Sequence, residues 1–369
     1  LCLPETLAKL EQHWQSAAGQ DGILFETAHR RRDGSLFPVE ISARTMEIDG
    51  QCYRQGFIRD ISERKRAEET LALQARRAEA LLELPKAGEV LDETAFMQRG
   101  QELAEDLTGS QIAFIHFVND DEETIELVTW SRRTLQHYCN VVYDTHYPVG
   151  QAGIWADALR RRQPVVFNDY AAYSHKRGLP EGHAELNRVL SVPVIENGRV
   201  VMLTGVGNKA TDYTELDVET VQLISNEIWR IVQRRRSEAQ LRKLAQAVEQ
   251  SPECIVITDL EARIEYANEA FVRATGYSRE EAIGQNPRLL QSGKTSRDRY
   301  AALWDALSRG QSWKGEFINR RKDGDEYIEF AIITPLRQPD GSVSHYVAVK
   351  EDITEKKRIG EELDRHRHH

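Results

Sequence analysis

The chain has 369 residues, of which 40% are hydrophobic and 29% charged, and its 59 acidic and 49 basic side chains leave a formal net charge of -10. That length predicts two or three domains, and the apolar share excludes extended disorder. The acidic balance excludes the basic face that neutralising nucleic-acid phosphates requires.

In chain order the first informative element is a repeat. Residues 26–34 read ETAHRRRDG and residues 316–324 read EFINRRKDG. Each copy continues with alternating apolar positions, a turn (Asp49-Gly50, then Asp340-Gly341) and another strand. In the second copy Ile328, Phe330 and Ile332 are the expected buried face. The copies end alike, in Arg59-Asp60-Ile61-Ser62-Glu63 and Glu351-Asp352-Ile353-Thr354-Glu355. Asp60 with Glu63, and Asp352 with Glu355, predict an acidic N-cap with Glu three residues on, and so a helix start.

From Glu63 to Leu84 there is no Gly or Pro, and Ala67, Leu71, Gln74, Ala78 and Leu81 follow a four-three spacing, a thin coiled-coil seam. Pro85 and Gly88 are expected to break this connector. An amphipathic helix is predicted over 96–107, and strands over 112–118, 125–130, 165–168, 191–195 and 200–206. The last two meet at Asn197-Gly198, a hairpin dipeptide. A closing helix is expected over 217–232. A second connector reaching Glu249 carries Ile224, Ile228 and Ile231, is interrupted by Arg234-Arg235-Arg236, and resumes with Leu241, Leu244 and Val248. A third begins after Ile353, with Ile359 and Leu363 four apart. Three connectors of one style predict a dimeric coiled coil; single solvated helices are the alternative. Cys2, Cys52, Cys139 and Cys254 are scattered without CxxC spacing, which predicts no zinc site, no disulfide framework and a cytoplasmic location. No apolar run approaches the ~20 residues of a membrane span, no signal-peptide pattern opens the chain, and Leu1 in place of Met reads as the start of a fragment.

Residues 250–355 resemble a PAS domain, through Ile257-Thr258-Asp259, Tyr266-Ala267-Asn268, Thr275-Gly276-Tyr277, Trp313, the NRRKDG stretch and Asp352-Ile353-Thr354. Residues 1–62 resemble the later half of a second, truncated PAS domain. Residues 88–234 resemble a GAF domain, on Gly153-Ile154-Trp155, Asn168-Asp169-Tyr170, Ser191-Val192-Pro193-Val194 and Gly205-Val206-Gly207-Asn208-Lys209. The resemblance implies an α+β chain of antiparallel five- to six-stranded sheets with flanking helices. Helical linkers are expected over 63–87 and 235–249, with an output-linking helix over 356–369.

The stretch GQNPRLLQ (284–291) is similar to the flavin-holding helix of the light-oxygen-voltage family, with Pro287 in place of that family's reactive cysteine. Two later amide positions of that family become Glu329 and Lys350. A closer resemblance is to the flavin-adenine-dinucleotide PAS domain of the nitrogen-fixation redox sensors. It implies FAD, or FMN, held by Asn286, Trp304, Asn319, Arg288, Gln291 and Trp313; Asn offers a ring edge both a donor and an acceptor. Pro287 again departs, standing where that family has an acidic residue. As an axial ligand for the competing cofactor, haem, His345 is the one candidate before the tail. His29 stands where the second copy has Asn319, which argues against flavin in the first. In the GAF segment Trp130, Tyr138, His146, Trp155, Asp169, His183 and Arg188 are candidates for a small-molecule pocket of unknown ligand; Cys139 and Asp144 lie nearby in sequence.

No phosphate loop, carboxylate dyad or nucleophile motif is present, so no catalysis is expected of this chain. The resemblance implies a sensory input region acting through paired helices on a C-terminal output domain. A histidine kinase is the first expectation and a cyclic-di-GMP cyclase or phosphodiesterase the second; a cofactor-free dimerisation scaffold is the reading from another class. Nucleic acid and direct membrane contact are not expected partners.

Overall fold

The computed structural model describes residues 22–137, 147–149, 152–173 and 185–367. The chain divides into two compact units, Leu1–Arg234 and Arg235–His369.

The first unit opens with an antiparallel sheet of β1 (Ile23–Arg30), β2 (Leu36–Ile48) and β3 (Gln51–Asp60). Asp33 accepts the Ser35 amide at 2.9 Å to shape the first turn. At the second, Asp49 and Gly50 both take positive φ, 52° and 72°, the two-residue hairpin whose twist suits a sheet. The Ser62–Val90 helix follows, and its start corrects the capping expectation. Asp60 stands one residue ahead of the cap position Ile61 and accepts the Ser62 amide at 2.9 Å, while Glu63 makes no return bond. Asp352 serves Thr354 in the same way at 2.9 Å.

The helix also continues through Pro85 and Gly88, where a break was predicted. Ala80, Leu84 and Gly88 are buried, and a Cβ on Gly88 would come within 2.7 Å of Ile231. Close packing of this last stretch on the Glu93–Thr108 and Glu215–Glu249 helices outweighs the hydrogen bond that proline forfeits. The predicted closing helix and second connector are one continuous helix, Glu215–Glu249. These helices cover one face of a six-stranded antiparallel sheet, ordered β6-β5-β4-β9-β8-β7. Its strands are β4 (Ile112–Val118), β5 (Thr124–Trp130), β6 (Tyr147–Pro148), β7 (Val165–Phe167), β8 (Val189–Glu196) and β9 (Arg199–Gly207). Alternation along β4 sends Ala113 and Ile115 to the helices, and Ile112 and Phe114 to a second core beneath short helices and loops.

The second unit is a five-stranded antiparallel sheet, β11-β10-β14-β13-β12. It comprises β10 (Cys254–Thr258), β11 (Ile264–Ala267), β12 (Trp313–Arg320), β13 (Glu326–Arg337) and β14 (Val343–Asp352). The short helices Glu269–Thr275, Arg279–Ala282 and Arg297–Ser308 lie between β11 and β12 in the chain and pack on one face through Phe271, Ala282, Leu303 and Leu307. Ser278 and Glu281 form a reciprocal capping box at the second of them. The β13–β14 turn departs from its counterpart: Gln338 donates its amide to Ser342 across a longer loop at 2.8 Å, with only Gly341 at positive φ. The Thr354–Arg367 helix leaves the end of β14. Among the described residues no helix is long and apolar enough to cross a membrane.

Candidate functional site

The site is built on the inner face of the C-terminal sheet. Along β13 the buried side chains are Tyr327, Glu329, Ala331 and Pro335, while Ile328 and Phe330 are half-buried and Ile332 is exposed. This inverts the face expected from Ile328, Phe330 and Ile332. The strand turns its small and polar residues inward because the inner face encloses a cavity rather than a solid core.

The cavity holds about 300 Å³ and lies between the sheet and the helical segments. Asn286, Pro287, Arg288 and Gln291 line it from the 3-10 turn, and Tyr300, Leu303, Trp304 and Leu307 from the Arg297–Ser308 helix. Val256, Phe317, Asn319, Tyr346 and Lys350 come from the strands. Among the described residues two cations and no carboxylate reach this lining. Asn286 also caps the 3-10 turn, accepting the Arg288 amide at 3.0 Å. Asn319 is buried, and its backbone bridges to Gln291. Trp304 is 45% exposed and meets Tyr346 edge-on at 6.1 Å, which makes it part of an opening rather than of the core.

Trp313 stands apart from the other five expected flavin contacts. It tilts against Phe317 at 5.0 Å and faces a shallow groove with Gly315 and Phe330. His345 is not in the lining either; its Nε2 lies 3.1 Å from Glu265. Asn268 has a purely architectural role, accepting amides from Ile255 and Phe271.

Behind the lining lies a polar cluster around Glu329 and Lys350, which in the sequence stand out only as departures from a flavin family's amides. The two form an ion pair at 2.9 Å, and both are buried. Asn319 Nδ2 donates to Glu329 Oε1 at 3.2 Å, and Tyr327 OH donates to Oε2 at 3.1 Å. Desolvation works against the Lys350 charge, but Glu329, with smaller help from Cys254 and Tyr300, outweighs it and holds the ammonium above its usual pKa. Burial, reinforced by Glu329, pushes the Tyr327 phenol up. The cluster continues outward. Arg321 lies 4.3 Å over the Tyr327 ring and ion-pairs with Asp352. Asp352 accepts the Thr354 amide at 2.9 Å and its hydroxyl at 2.6 Å, where the last helix begins.

In the six-stranded domain Trp130 and Trp155 meet through Phe114, with ring centroids 5.7 and 5.4 Å from it. Sequence reasoning missed His116, which stacks on Trp155 at 4.4 Å; the period of two along β4 places it on the face of Phe114 and would have found it. Asp169 and Arg188 line a shallow groove. Both also serve locally. Asp169 caps the Tyr170–Ala172 turn, accepting the Ala172 amide at 3.2 Å, and Arg188 pairs with Asp212 at 3.0 Å. Tyr138, His146 and His183, with Cys139 and Asp144, lie outside the described residues. In the first copy of the repeat, buried His29 meets Phe37 edge-on at 6.1 Å.

Comparison with known proteins agrees with this architecture. A GAF domain model matches residues 90–233, and a PAS domain model matches residues 4–63 and 252–355. A methyl sulfide methyltransferase-associated sensor of Methanosarcina acetivorans is 34% identical over 240 residues, covering 64% of this chain and 24% of that protein. A nitrogen fixation regulatory protein of Klebsiella oxytoca is 43% identical over 119 residues, 32% of this chain and 24% of that one. The chain thus spans about a quarter of the length of these relatives. A solved structure from a flavin-analogue study of a light-oxygen-voltage domain is 27% identical, covering 34% of this chain and 96% of that chain at a TM-score of 0.30. The order of matched segments follows the order of sheets along the chain, and the relatives are sensors and regulators: the chain carries PAS, GAF and PAS domains in that order.

Proposed function

We propose that the C-terminal PAS domain holds a flavin, with FAD the form favoured, and that occupancy or redox state of this site controls an output domain joined to the last helix. The observation that carries this reading is a cavity combining three amide side chains, an aromatic wall at Trp304 and Tyr346, and two cations without an opposing carboxylate in its lining. A flavin ring is flat and apolar on its faces and presents alternating donors and acceptors along its edge, so these residues fit it. Asn286, Gln291 and Asn319 would meet the edge, Trp304 would cover a face, and exposed Arg288 at the cavity margin suits a phosphate. Bound there, the flavin supplies reversible electron uptake; the protein orients it and shields its ring.

The output most compatible with the resemblance is a histidine kinase in a cytoplasmic homodimer. Exposed apolar residues on the connecting helices support pairing: Leu241 at 67%, Leu244 at 57% and Leu363 at 59% exposure. The truncated first copy and the GAF domain complete the input region. The buried, unpartnered Tyr170 hydroxyl on the Trp155 side supports a GAF ligand. An absorption spectrum of the purified protein, before and after reconstitution with FAD and FMN, tests the flavin reading. Bands of bound flavin are expected, and their loss in Asn319→Ala with Trp304→Ala. A protein that takes up neither flavin overturns it.

A further inference from the structure

The repeat supplies its own control for the buried ion pair. Strand register makes the copies superimposable: Val39 faces Asp60 and Ile41 faces Ile58, as Glu329 faces Asp352 and Ala331 faces Lys350. Val39 and Ile58 therefore occupy the places of Glu329 and Lys350, and the RRDG and RKDG turns place Phe37 where the second copy has Tyr327. The outer part of the arrangement is present in both copies. Arg31 lies 4.1 Å over Phe37 and pairs with Asp60 at 3.0 Å, and Asp60 accepts the Ser62 amide. Only the second copy extends inward, through a phenol hydroxyl, a carboxylate and an ammonium. Because the first copy forms the same three strands without these groups, they are not needed for strand pairing. A buried ion pair is in any case a weak source of stability beside an apolar pair.

Orientation gives the pair a use. Lys350 lines the cavity while Glu329 does not, so the positive end of the pair faces the ligand. An ammonium has three donors, of which Glu329 takes one. We propose that Lys350, backed by Glu329, is the redox-discriminating contact of the flavin site, and that Tyr327 links it to the helix start through Arg321 and Asp352. The inference rests on the flavin reading above. On reduction the neutral ring takes a hydride from a reduced pyridine nucleotide, or in the test two electrons from dithionite and one proton from solvent, so it gains one negative charge. A cation at its edge favours that state. Lys350 then shares its donors between ring and Glu329, which changes the demand of Glu329 on Tyr327 and so the position of Arg321 against Asp352.

The experiment uses the full chain reconstituted with flavin. Glu329→Val combined with Lys350→Ile transplants the first copy's residues and avoids an orphaned charge. It is expected to retain flavin but lose at least tenfold in preference for the reduced form, a midpoint potential lower by about 30 mV for a two-electron couple. Tyr327→Phe, which transplants Phe37, is expected to leave that potential in place and abolish the redox-dependent difference in amide hydrogen exchange over Thr354–Arg358. A double variant with an unmoved potential overturns the role of the pair, and a Tyr327→Phe variant that keeps the exchange difference overturns the link. A wild-type protein that binds no flavin overturns both this inference and the reading it rests on; bound flavin with an unmoved potential overturns this one alone.

Discussion

Glu105 is a buried carboxylate of the GAF domain. Its side chain is fully buried, Ser131 donates to its Oε1, and Arg133 lies 3.4 Å from its Oε2. Burial dominates and pushes the carboxyl up to about 7 from an ordinary 4.5. The folded state thus holds a proton that the unfolded chain releases, so the contribution of Glu105 to stability is fully present below pH 4.5 and is lost as pH rises from there through 7. At roughly 1.4 kcal/mol per pKa unit, the loss is of order 3 kcal/mol. Glu105→Gln should stabilise the domain by about that amount at pH 8 and by little at pH 4.5, which denaturant titrations at the two pH values will read. Loss of Lys350 alone is a harsher change. Lys350→Met leaves Glu329 buried without its cation and should cost about 3–5 kcal/mol, whereas the apolar double replacement should lie near wild type in denaturant midpoint. Cys254 behaves as a core residue: burial pushes its thiol up to about 12. Alkylation at pH 8, followed by mass spectrometry, should leave Cys254 unmodified until the domain unfolds.

At the scale of elements, two strands and a helix show where pattern and structure part. The predicted GAF strands fall within a few residues of β4, β5, β7, β8 and β9, because alternation and the Asn197-Gly198 turn are local signals. Alternation on β13 located the strand equally well but assigned the wrong side to the core. A period of two reports that a strand has two faces; it does not say which one a helical layer covers. The Ser62–Val90 helix makes the complementary point, since Pro85 and Gly88 are local stop signals overruled by burial. A similar close approach occurs on β9, where a Cβ on Gly205 would collide with the Phe114 ring. Gly205→Ala should displace that ring from Trp130 and Trp155 and lower stability by about 1–3 kcal/mol, measurable as a reduced thermal midpoint.

For the whole molecule, the proposed relay requires that the connecting helices pair. Leu241 and Leu244 are exposed, so their replacement by Asp should change monomer stability by less than about 0.5 kcal/mol. In a coiled-coil dimer they would fall on the seam, and Leu241→Asp with Leu244→Asp should weaken self-association at least tenfold by light scattering across a concentration series. An unchanged molecular mass in the variant would refute pairing through this helix.

Most strands and the first Asp-Gly turn were readable from residues alone, because each depends on neighbours within one turn or one pleat, whereas domain order and fold class came from family resemblance. Five of the six expected flavin contacts line the cavity, three of them (Asn286, Arg288 and Gln291) from the continuous stretch GQNPRLLQ; Trp313 does not, and packs on Phe317 instead. The Glu329–Lys350 pair was visible as two odd residues and acquired meaning only when antiparallel pairing of β13 and β14 brought them to 2.9 Å beside a cavity. Local chemistry is written along the chain, whereas the meeting of distant charges is decided by strand register and by which face the covering helices enclose.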